Sequence, residues 1–245
     1  LSKNIKYLVL LYRVLQNTCG WGKMDSISSD LDANIGNGVE HPFLSISRTD
    51  DEAINFIVAK SWAENNIFKV PMESNLKNDK KKGKIKLGYI CGELRNHPTY
   101  HLIKNLFKNH NKEDFEIYIF SYNHESDIQS EIQKDVNQFI NIDETNDEDA
   151  IEKISRFNID ILIDLSIIIT NNRQKIISSR PAKKIISYLG YPGTSGYDFY
   201  DYIITDKIVT PENKKSYYSE KFLYLPSTYQ VNDGIKYMKI KDILK

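Results

Sequence analysis

Residues 188–196 read Tyr188-Leu189-Gly190-Tyr191-Pro192-Gly193-Thr194-Ser195-Gly196 and continue an apolar run that ends at Leu189. The stretch holds three glycines and one proline within seven residues. Glycine permits positive φ angles and a close approach of the backbone to a ligand. The pattern therefore predicts a strand that ends in a tight loop, and such loops bind ligands in open α/β sheets. The alternative is an ordinary glycine-rich turn that binds nothing.

Short apolar runs alternate with helical patterns on both sides of this loop, from residue 84 onward. The predicted strands are Ile85–Cys91, Phe115–Tyr122, Phe139–Ile142, Ile159–Leu165, Lys184–Leu189, Tyr202–Thr205 and Phe222–Leu225. The predicted helices are Thr99–His110, Ser126–Val136, Asp147–Phe157 and Asn172–Ser179. This alternation is typical of a parallel sheet with helices on both faces. We therefore expect an α/β fold with a Rossmann-like, doubly wound and mostly parallel sheet.

Residues 1–70 show helical periodicity instead. Three helices are predicted, with apolar positions at Ile5, Leu8, Val9, Tyr12 and Leu15; at Met24, Ile27, Leu31 and Ile35; and at Ala53, Ile54, Ile57, Val58 and Trp62. Gly36-Asn37-Gly38 is expected to end the second helix, and Thr49-Asp50-Asp51-Glu52 has the form of a capping box for the third. No repeat of about 34 residues appears, so we interpret the region as a helical cap or the end of a tetratricopeptide-like superhelix.

A lysine-rich stretch separates the two regions. Residues 75–84 contain five lysines and almost nothing apolar. Such a run is usually a solvated linker, and a nucleic-acid patch would need interleaved aromatic side chains. We therefore predict a helical region at 1–70, a linker at 71–83 and a Rossmann-like domain at 84–245.

Charge balance and cysteine content narrow the classes of partner. Lys plus Arg and Asp plus Glu number 33 each, so no net charge steers the chain to nucleic acid or to an anionic membrane. Cys19 and Cys91 lack the spacing of a disulfide framework or a metal site. The apolar patch Tyr7–Leu15 is interrupted by Arg13 and is too short to span a bilayer. We expect an intracellular protein in a reducing compartment, cytoplasmic or nuclear.

The loop after the first strand carries the clearest candidate for chemistry, His97. Pro98 suits the first position of a helix, which places His97 at the helix amino end. The positive end of the helix dipole favours a neutral imidazole there, able to take a proton or to donate to a sugar hydroxyl. The alternative is a histidine that only caps the helix. His41, His110 and His124 have no comparable context, and we interpret them as surface or structural residues.

Several blocks, in matching order and spacing, resemble the catalytic region of the O-linked N-acetylglucosamine (O-GlcNAc) transferases. They are Asn96-His97-Pro98-Thr99 with His101, Arg180-Pro181-Ala182, Leu189 to Gly196, Asp201 to Asp206, Tyr218 to Lys221, and Leu225-Pro226. These intracellular enzymes transfer the sugar of UDP-GlcNAc to Ser and Thr of proteins. The resemblance implies the amino-terminal half of an inverting, two-domain GT-B glycosyltransferase. Protein O-fucosyltransferases of related sequence are a close variant.

The resemblance also implies which residues form the site. His97 matches the histidine that the family brings to the donor sugar and the acceptor hydroxyl. Substrate-binding residues by the same match are Asn96, Thr99, His101, Leu189, Gly190, Tyr191, Pro192, Gly193 and Thr194. His101 is expected to pack beneath His97, and the glycine loop to face His97 across a crevice at the carboxyl edge of the sheet. No metal or cofactor is expected, because the family needs none and its donor substrate is UDP-GlcNAc.

Two departures from the family pattern favour a rival hypothesis. Ile167-Ile168-Ile169 stands where the family usually has Gly, then His or Tyr, then Thr, so an apolar surface is expected to face the crevice. The chain starts at Leu1 and ends at Lys245 with one Rossmann-like half, so we interpret it as a fragment. A polypeptide is the expected acceptor. The sugar nucleotide is expected to bind together with a missing carboxyl-terminal half. The rival is a degenerate, non-catalytic protein-binding module. A stand-alone small-molecule domain is weaker, since no glycine-rich phosphate or dinucleotide loop is present.

Overall fold

A computed structural model describes residues 4–66, 83–169 and 171–232. Within the first range the chain forms four α-helices, α1 (Ile5–Asn17), α2 (Met24–Asp32), α3 (Pro42–Arg48) and α4 (Glu52–Asn65), with one turn of 3₁₀-helix at Trp21–Lys23. The predicted linker at 71–83 lies outside the described residues except for Gly83, so the predicted boundaries stay predictions. In the part of the chain that the structure describes, no helix has the length and apolar character needed to cross a membrane.

The helical region differs from its prediction in four details. The short helix α3 was missed, because its N-cap is His41, whose Nδ1 accepts the Phe43 N–H at 3.1 Å. Helix α4 is capped by Asp51, whose Oδ1 accepts the Ala53 N–H at 2.8 Å, and not by Thr49. Ile57, assigned to the buried side of that helix, is 41% exposed. Helix α2 ends at Asp32, so Ile35 lies beyond it.

The second region is built on one parallel sheet. Its strands are β1 (Ile85–Cys91), β2 (Phe115–Ser121), β3 (Gln138–Asn141), β4 (Ile161–Asp164), β5 (Lys184–Ser187), β6 (Tyr202–Thr205) and β7 (Lys221–Tyr224). Neighbouring strands pair in parallel in the order β3-β2-β1-β4-β5-β6-β7. The predicted Rossmann-like, doubly wound sheet is confirmed. The order reverses between β1 and β4, and such a switch point is where open α/β sheets bind ligands.

Helices cover both faces of the sheet. They are α5 (Pro98–Ile103), α6 (Ser126–Ile132), α7 (Asp147–Ser155) and α8 (Gln174–Ser178), with 3₁₀ turns at Phe107–Asn109 and Glu212–Tyr217. Helices α5 and α6 pack on one core through Tyr100 and Ile132, and α7 and α8 pack on the opposite core through Ile154 and Ile176. Helix α5 stops at Ile103, well before the predicted end at His110.

The helical region packs on the same face of the sheet as α7 and α8. Ala63 of α4 belongs to that core, and the Phe43 ring centroid lies 5.0 Å from that of Tyr191 in the glycine loop. The region also has a small core of its own, made by Leu8, Tyr12, Met24, Ile27, Leu31 and Leu44. Helix α3 is therefore anchored to the loop that follows β5, and α4 to the core beneath it.

His41 joins the two regions by hydrogen bonds. Because Nδ1 accepts the Phe43 N–H, the neutral ring carries its proton on Nε2, which donates to the Ile168 carbonyl at 3.1 Å. Burial lowers the pKa of His41, although the bond to Ile168 acts in the opposite direction. Protonation would place an N–H at Nδ1 and break the helix cap.

We expect stability to fall on acidification, in part through His41. Its folded pKa lies below the unfolded value of about 6.5, so the unfolded chain takes up the proton first and stability is lost as pH falls through that value. His41→Asn keeps a capping side chain but does not titrate, so urea denaturation between neutral pH and about pH 5 should show a shallower pH dependence. His124→Asn, which removes a histidine outside this bridge, is the control. Equal pH slopes for His41→Asn and wild type would contradict the assignment.

Candidate functional site

His97 lies at the carboxyl edge of the sheet, between β1 and α5. It is the N-cap of α5, and its Nδ1 accepts the Thr99 N–H at 3.2 Å, while Pro98 takes the first helical position. This is the placement that the sequence predicted. Burial lowers the pKa of His97, and the charges of Arg95 and His101 lower it further. These surroundings therefore favour the neutral ring.

The cap also decides which ring nitrogen of His97 carries the proton. With Nδ1 accepting from Thr99, the neutral ring must hold its proton on Nε2. Nε2–H can then donate a hydrogen bond to an oxygen at the edge of the sheet. To take a proton, Nε2 would have to be unprotonated, and the proton of the neutral ring would then sit on Nδ1 and break the cap with Thr99. Of the two roles left open by the sequence, this geometry favours donation.

The three neighbours of His97 have different surroundings. Thr99 is buried, and its backbone N–H makes the cap. Asn96 is exposed, with its Oδ1 2.9 Å from Nε2 of His101. His101 is exposed as well, so the prediction that it packs beneath His97 is wrong. Tyr100, whose ring lies beside that of His101, is the residue that enters the core.

The glycine loop begins with a strained turn. The Gly190 N–H donates to the Tyr188 carbonyl at 2.9 Å, which closes a three-residue turn around Leu189 at φ 71°. Left-handed φ is rare for a leucine, and backbone strain of this kind concentrates at functional sites. A Cβ on Gly190 would lie 2.3 Å from the Leu165 carbonyl oxygen, so only glycine fits. Leu189 packs against the same core as α5, the helix that His97 caps.

The rest of the loop crosses to the opposite face of the sheet. Tyr191 is 2% exposed in the core shared with the helical region. Gly196 has φ 76°, and a Cβ there would lie 2.2 Å from the Ala59 carbonyl oxygen in α4. Pro192 and Gly193 line a cavity of about 280 Å³ together with Thr49, Glu52 and other residues of the helical region. Convergence of Leu189 and Gly190 with His97 therefore stays a prediction, and convergence is wrong for the remainder of the loop, which lies on the opposite face.

A buried carboxylate that sequence reasoning missed holds this part of the loop. Glu220 accepts the Ser195 N–H at 2.8 Å, the Ser195 hydroxyl, and the Thr194 hydroxyl at 2.8 Å. Thr194 Oγ1 in turn accepts the N–H groups of Gly196 and Ser219. Burial raises the pKa of Glu220, and these hydrogen bonds oppose the rise. The Thr194 hydroxyl donates one hydrogen bond and accepts two within this network, so it is not available to bind a substrate in this structure.

A second missed carboxylate, Asp164, organises the loop after β4. Its Oδ1 accepts the N–H groups of Ser166 at 2.9 Å and Ile167 at 3.1 Å, and its Oδ2 accepts the Tyr200 hydroxyl at 2.5 Å. Burial raises the pKa of Asp164, and those bonds oppose it. An acidic residue directly after three apolar strand positions was the signal that could have revealed it.

Ile167 occupies a left-handed position in that loop, at φ 52°. A β-branched residue is strained there, which agrees with the glycine expected by resemblance. The predicted apolar surface facing the crevice is nevertheless wrong for two of the three isoleucines. Ile167 is 1% exposed and Ile168 is 3% exposed, and both pack in the core beneath the helical region. Only Ile169 is partly exposed.

Among residues 4–66, 83–169 and 171–232, no group of three or more His, Cys, Asp or Glu side chains could hold a metal ion.

Comparison with known proteins identifies relatives of the whole sheet. The model of glycosyl transferase family 41 matches residues 59–244. The probable UDP-N-acetylglucosamine–peptide N-acetylglucosaminyltransferase SEC of Arabidopsis thaliana is 27% identical over 242 residues, which cover 91% of this chain and 25% of that protein. The UDP-N-acetylglucosamine–peptide N-acetylglucosaminyltransferase of Caenorhabditis elegans is 31% identical over 159 residues, 64% of this chain and 14% of that protein. The chain thus spans a quarter or less of these curated relatives.

A solved structure shares the fold. An O-GlcNAc transferase mutant of Thermobaculum terrenum superposes with a TM-score of 0.73 at 21% identity, covering 93% of this chain and 45% of that one. At 21% identity the match shows that the two chains share a fold and shows nothing about function. It includes the helical region as well as the sheet, since nearly all of the chain is covered.

We expect Glu220→Gln to destabilise the fold by about 1–3 kcal/mol. The new amide N–H₂ must face either the Ser195 N–H or Thr194 Oγ1, and Thr194 Oγ1 already accepts two N–H groups. Urea denaturation measures the change. Glu212→Gln is the matched control, because Glu212 is exposed and pairs only with the nearby Lys215, and it should stay within about 0.5 kcal/mol of wild type. Similar effects from both variants would rule out the role assigned to Glu220.

Proposed function

The chain belongs to glycosyl transferase family 41, and from that premise we propose that it is the amino-terminal half of a protein O-glycosyltransferase catalytic unit. The proposed reaction moves GlcNAc from UDP-GlcNAc to Ser or Thr of a polypeptide, with inversion and without a covalent intermediate. Alone, the chain is proposed to be inactive, because a second Rossmann-like half would supply most contacts to UDP.

The observation that carries the proposal is the extent of the family match. Residues 59–244 include all seven strands of the sheet and the loops at its carboxyl edge. The chain covers 45% of the solved O-GlcNAc transferase, a share that suits one of two halves. The two curated relatives described above are both named as peptide N-acetylglucosaminyltransferases.

His97 is proposed as the catalytic residue of this half. Its neutral state and its Nε2–H support a hydrogen bond to an oxygen of the donor sugar or of the acceptor hydroxyl. Such a bond acts on the transition state when the oxygen gains charge. The larger part of catalysis is proposed to come from orientation of the two substrates and from stabilisation of the UDP leaving group by the second half.

The start of the glycine loop is proposed to shape the sugar site. Leu189 and Gly190 follow β5, two strands away from β1, and Leu189 packs on the core beneath α5. Asn96 is proposed to bind substrate, because its side chain is exposed beside His97. His101 is proposed to do the same from the helix surface.

The family match and the composition also support proposals for the partners, the cofactors and the location of the protein. A polypeptide acceptor and a sugar nucleotide are the proposed partners, without nucleic acid or membrane. We propose no metal or organic cofactor and an intracellular, cytoplasmic or nuclear location. Transfer of fucose instead of GlcNAc is a close variant, since donor choice is proposed to lie largely in the second half.

A degenerate, protein-binding module remains the second candidate. Its support is the strained Ile167 at a position where the family has glycine. Burial of Ile167 and Ile168 weakens that support, because their side chains do not cover the carboxyl edge with apolar surface. Activity of the completed unit would decide between the candidates.

In a protein that joins this chain to the second half, His97→Ala should lower turnover by about 10²- to 10⁴-fold. His97→Asn is the matched variant, because asparagine can cap α5 but lacks the imidazole. The turnover of His97→Asn should fall as far as that of His97→Ala, but His97→Asn should keep about 1 kcal/mol of stability that His97→Ala loses. Transfer rates to a Ser-containing peptide and thermal melting measure the two effects. Full turnover in His97→Asn would leave His97 as a capping residue only.

We expect residues 1–245 alone to bind UDP and UDP-GlcNAc weakly, because they contain no glycine-rich phosphate cradle and most contacts to UDP are proposed to come from a second half. Titration calorimetry with each ligand tests this. A micromolar dissociation constant, about −8 kcal/mol, would show a complete donor site within these residues and refute the division of labour proposed here.

A further inference from the structure

The turn between α2 and α3 carries the only Asn-Gly pair in the sequence, Asn37-Gly38. Asparagine is a chemically labile residue, and its side-chain carbonyl can be attacked by the backbone nitrogen of the next residue. Glycine has no Cβ to shield that nitrogen, so the attack is least hindered in this pair. The Asn37 side chain is exposed to solvent, which supplies the base and the water that the reaction needs.

The fold brings the two reacting groups close together. Oδ1 of Asn37 accepts the Val39 N–H at 2.8 Å, so the side chain is folded back across the Gly38 peptide group that lies between them. Gly38, at φ 71°, makes no hydrogen bond through its N–H to any residue that the structure describes. The nucleophile is therefore unoccupied, and it belongs to the ring of atoms that the bond between Asn37 and Val39 closes.

The Val39 N–H also stabilises the charge that the attack creates. When the Gly38 nitrogen adds to Cγ of Asn37, the carbonyl electrons move onto Oδ1. A backbone N–H donor 2.8 Å from that oxygen has the spacing of the donors in an oxyanion hole. The turn thus supplies a nucleophile, an electrophile and a donor from three consecutive residues.

Two contacts of the turn oppose the reaction. Nδ2 of Asn37 donates to the Asn34 carbonyl at 2.5 Å and so holds the amide that must leave. Breaking one exposed, neutral hydrogen bond lowers the reactive population by about tenfold at most. Gly38 also packs against α4, where a Cβ would lie 2.5 Å from the Ser61 carbonyl oxygen. These contacts slow the reaction without blocking it, because the attacking and attacked atoms belong to adjacent residues.

We propose that Asn37 is a site of spontaneous deamidation in the folded protein. The Gly38 nitrogen forms a bond to Cγ, the bond between Cγ and Nδ2 breaks, and the proton of the Gly38 nitrogen leaves with Nδ2 as ammonia. Water then adds to one of the two carbonyls of the resulting cyclic imide and opens the ring. Opening at Cγ gives aspartate, and opening at the main-chain carbonyl gives isoaspartate. This inference is independent of the proposed glycosyltransferase function.

The modification would change the joint between this turn and α4. The Asn37 carbonyl accepts a hydrogen bond from Nδ2 of Asn65, the last residue of α4, at 2.9 Å. Aspartate replaces the donor that faces the Asn34 carbonyl with a second acceptor. Isoaspartate makes the main chain one carbon longer and routes it through the former side chain, next to Gly38, which has no free space beside α4. We therefore expect the modified chain to unfold at a lower temperature.

Incubation of the 245-residue chain in mildly alkaline buffer tests the proposal. Trypsin releases residues 24–48 as one peptide, and mass spectrometry with fragmentation locates aspartate and isoaspartate within it. Conversion at Asn37 in the folded chain should proceed within about tenfold of the rate in the urea-unfolded chain, and it should rise in proportion to hydroxide concentration. Asn34 lies in the same peptide and precedes an isoleucine, so it is an internal control and should stay unmodified.

Asn37→Gln is the matched variant, because it keeps the amide but would have to form a larger ring. It should show no conversion over the same period, and its melting temperature should stay constant while that of the wild type falls. A freshly prepared sample, digested in parallel, measures any conversion that occurs during handling.

Three results would overturn the inference. They are conversion in the folded chain slower than in the unfolded chain by more than about tenfold, equal conversion at Asn34, and a rate that does not depend on hydroxide concentration. All three are measured on the wild-type chain, so the test holds even if Asn37→Gln does not fold.

Discussion

Two buried carboxylates hold the carboxyl edge of the sheet, and the arrangement of the functional loops depends on them. Asp164 accepts backbone N–H groups of the loop after β4, and Glu220 does the same for the loop after β5. Irregular backbone inside a protein leaves N–H groups that must find acceptors. Because Asp164 accepts the N–H of Ile167 directly, the chain holds this left-handed residue beside the switch point.

The helical region is part of the same arrangement. Tyr191 packs on Phe43, Gly196 lies against the Ala59 carbonyl, and His41 donates to the Ile168 carbonyl. Both loops at the carboxyl edge are therefore supported from below by α3 and α4. A change in the position of those helices would move the loop backbone that shapes the site, since packed elements shift together.

The sequence was informative where the signal was local. Continuous apolar runs located all seven strands, and Pro98 placed His97 at a helix start. The misses involve contacts between distant residues. Tyr191 and Thr194 fit a ligand-facing loop by sequence, but the helical region provides an apolar face for Tyr191 and Glu220 provides an acceptor for Thr194. Helix α3 was not predicted because histidine, its N-cap residue, is not among the preferred N-cap residues. His101 was misplaced because a short helix offers too few turns to define its buried side.

The contact between α4 and the glycine loop has a consequence for synthesis on the ribosome. The helical region leaves the ribosome before the sheet does, yet Phe43, Ala59 and Ala63 pack on residues of the loop and the sheet that follow much later in the chain. Until those residues emerge, this apolar side of α3 and α4 is open to solvent and to chaperones. Contacts between residues so distant in sequence slow folding and prolong exposure to aggregation. Production of this chain should therefore be sensitive to the rate of translation between α4 and β6.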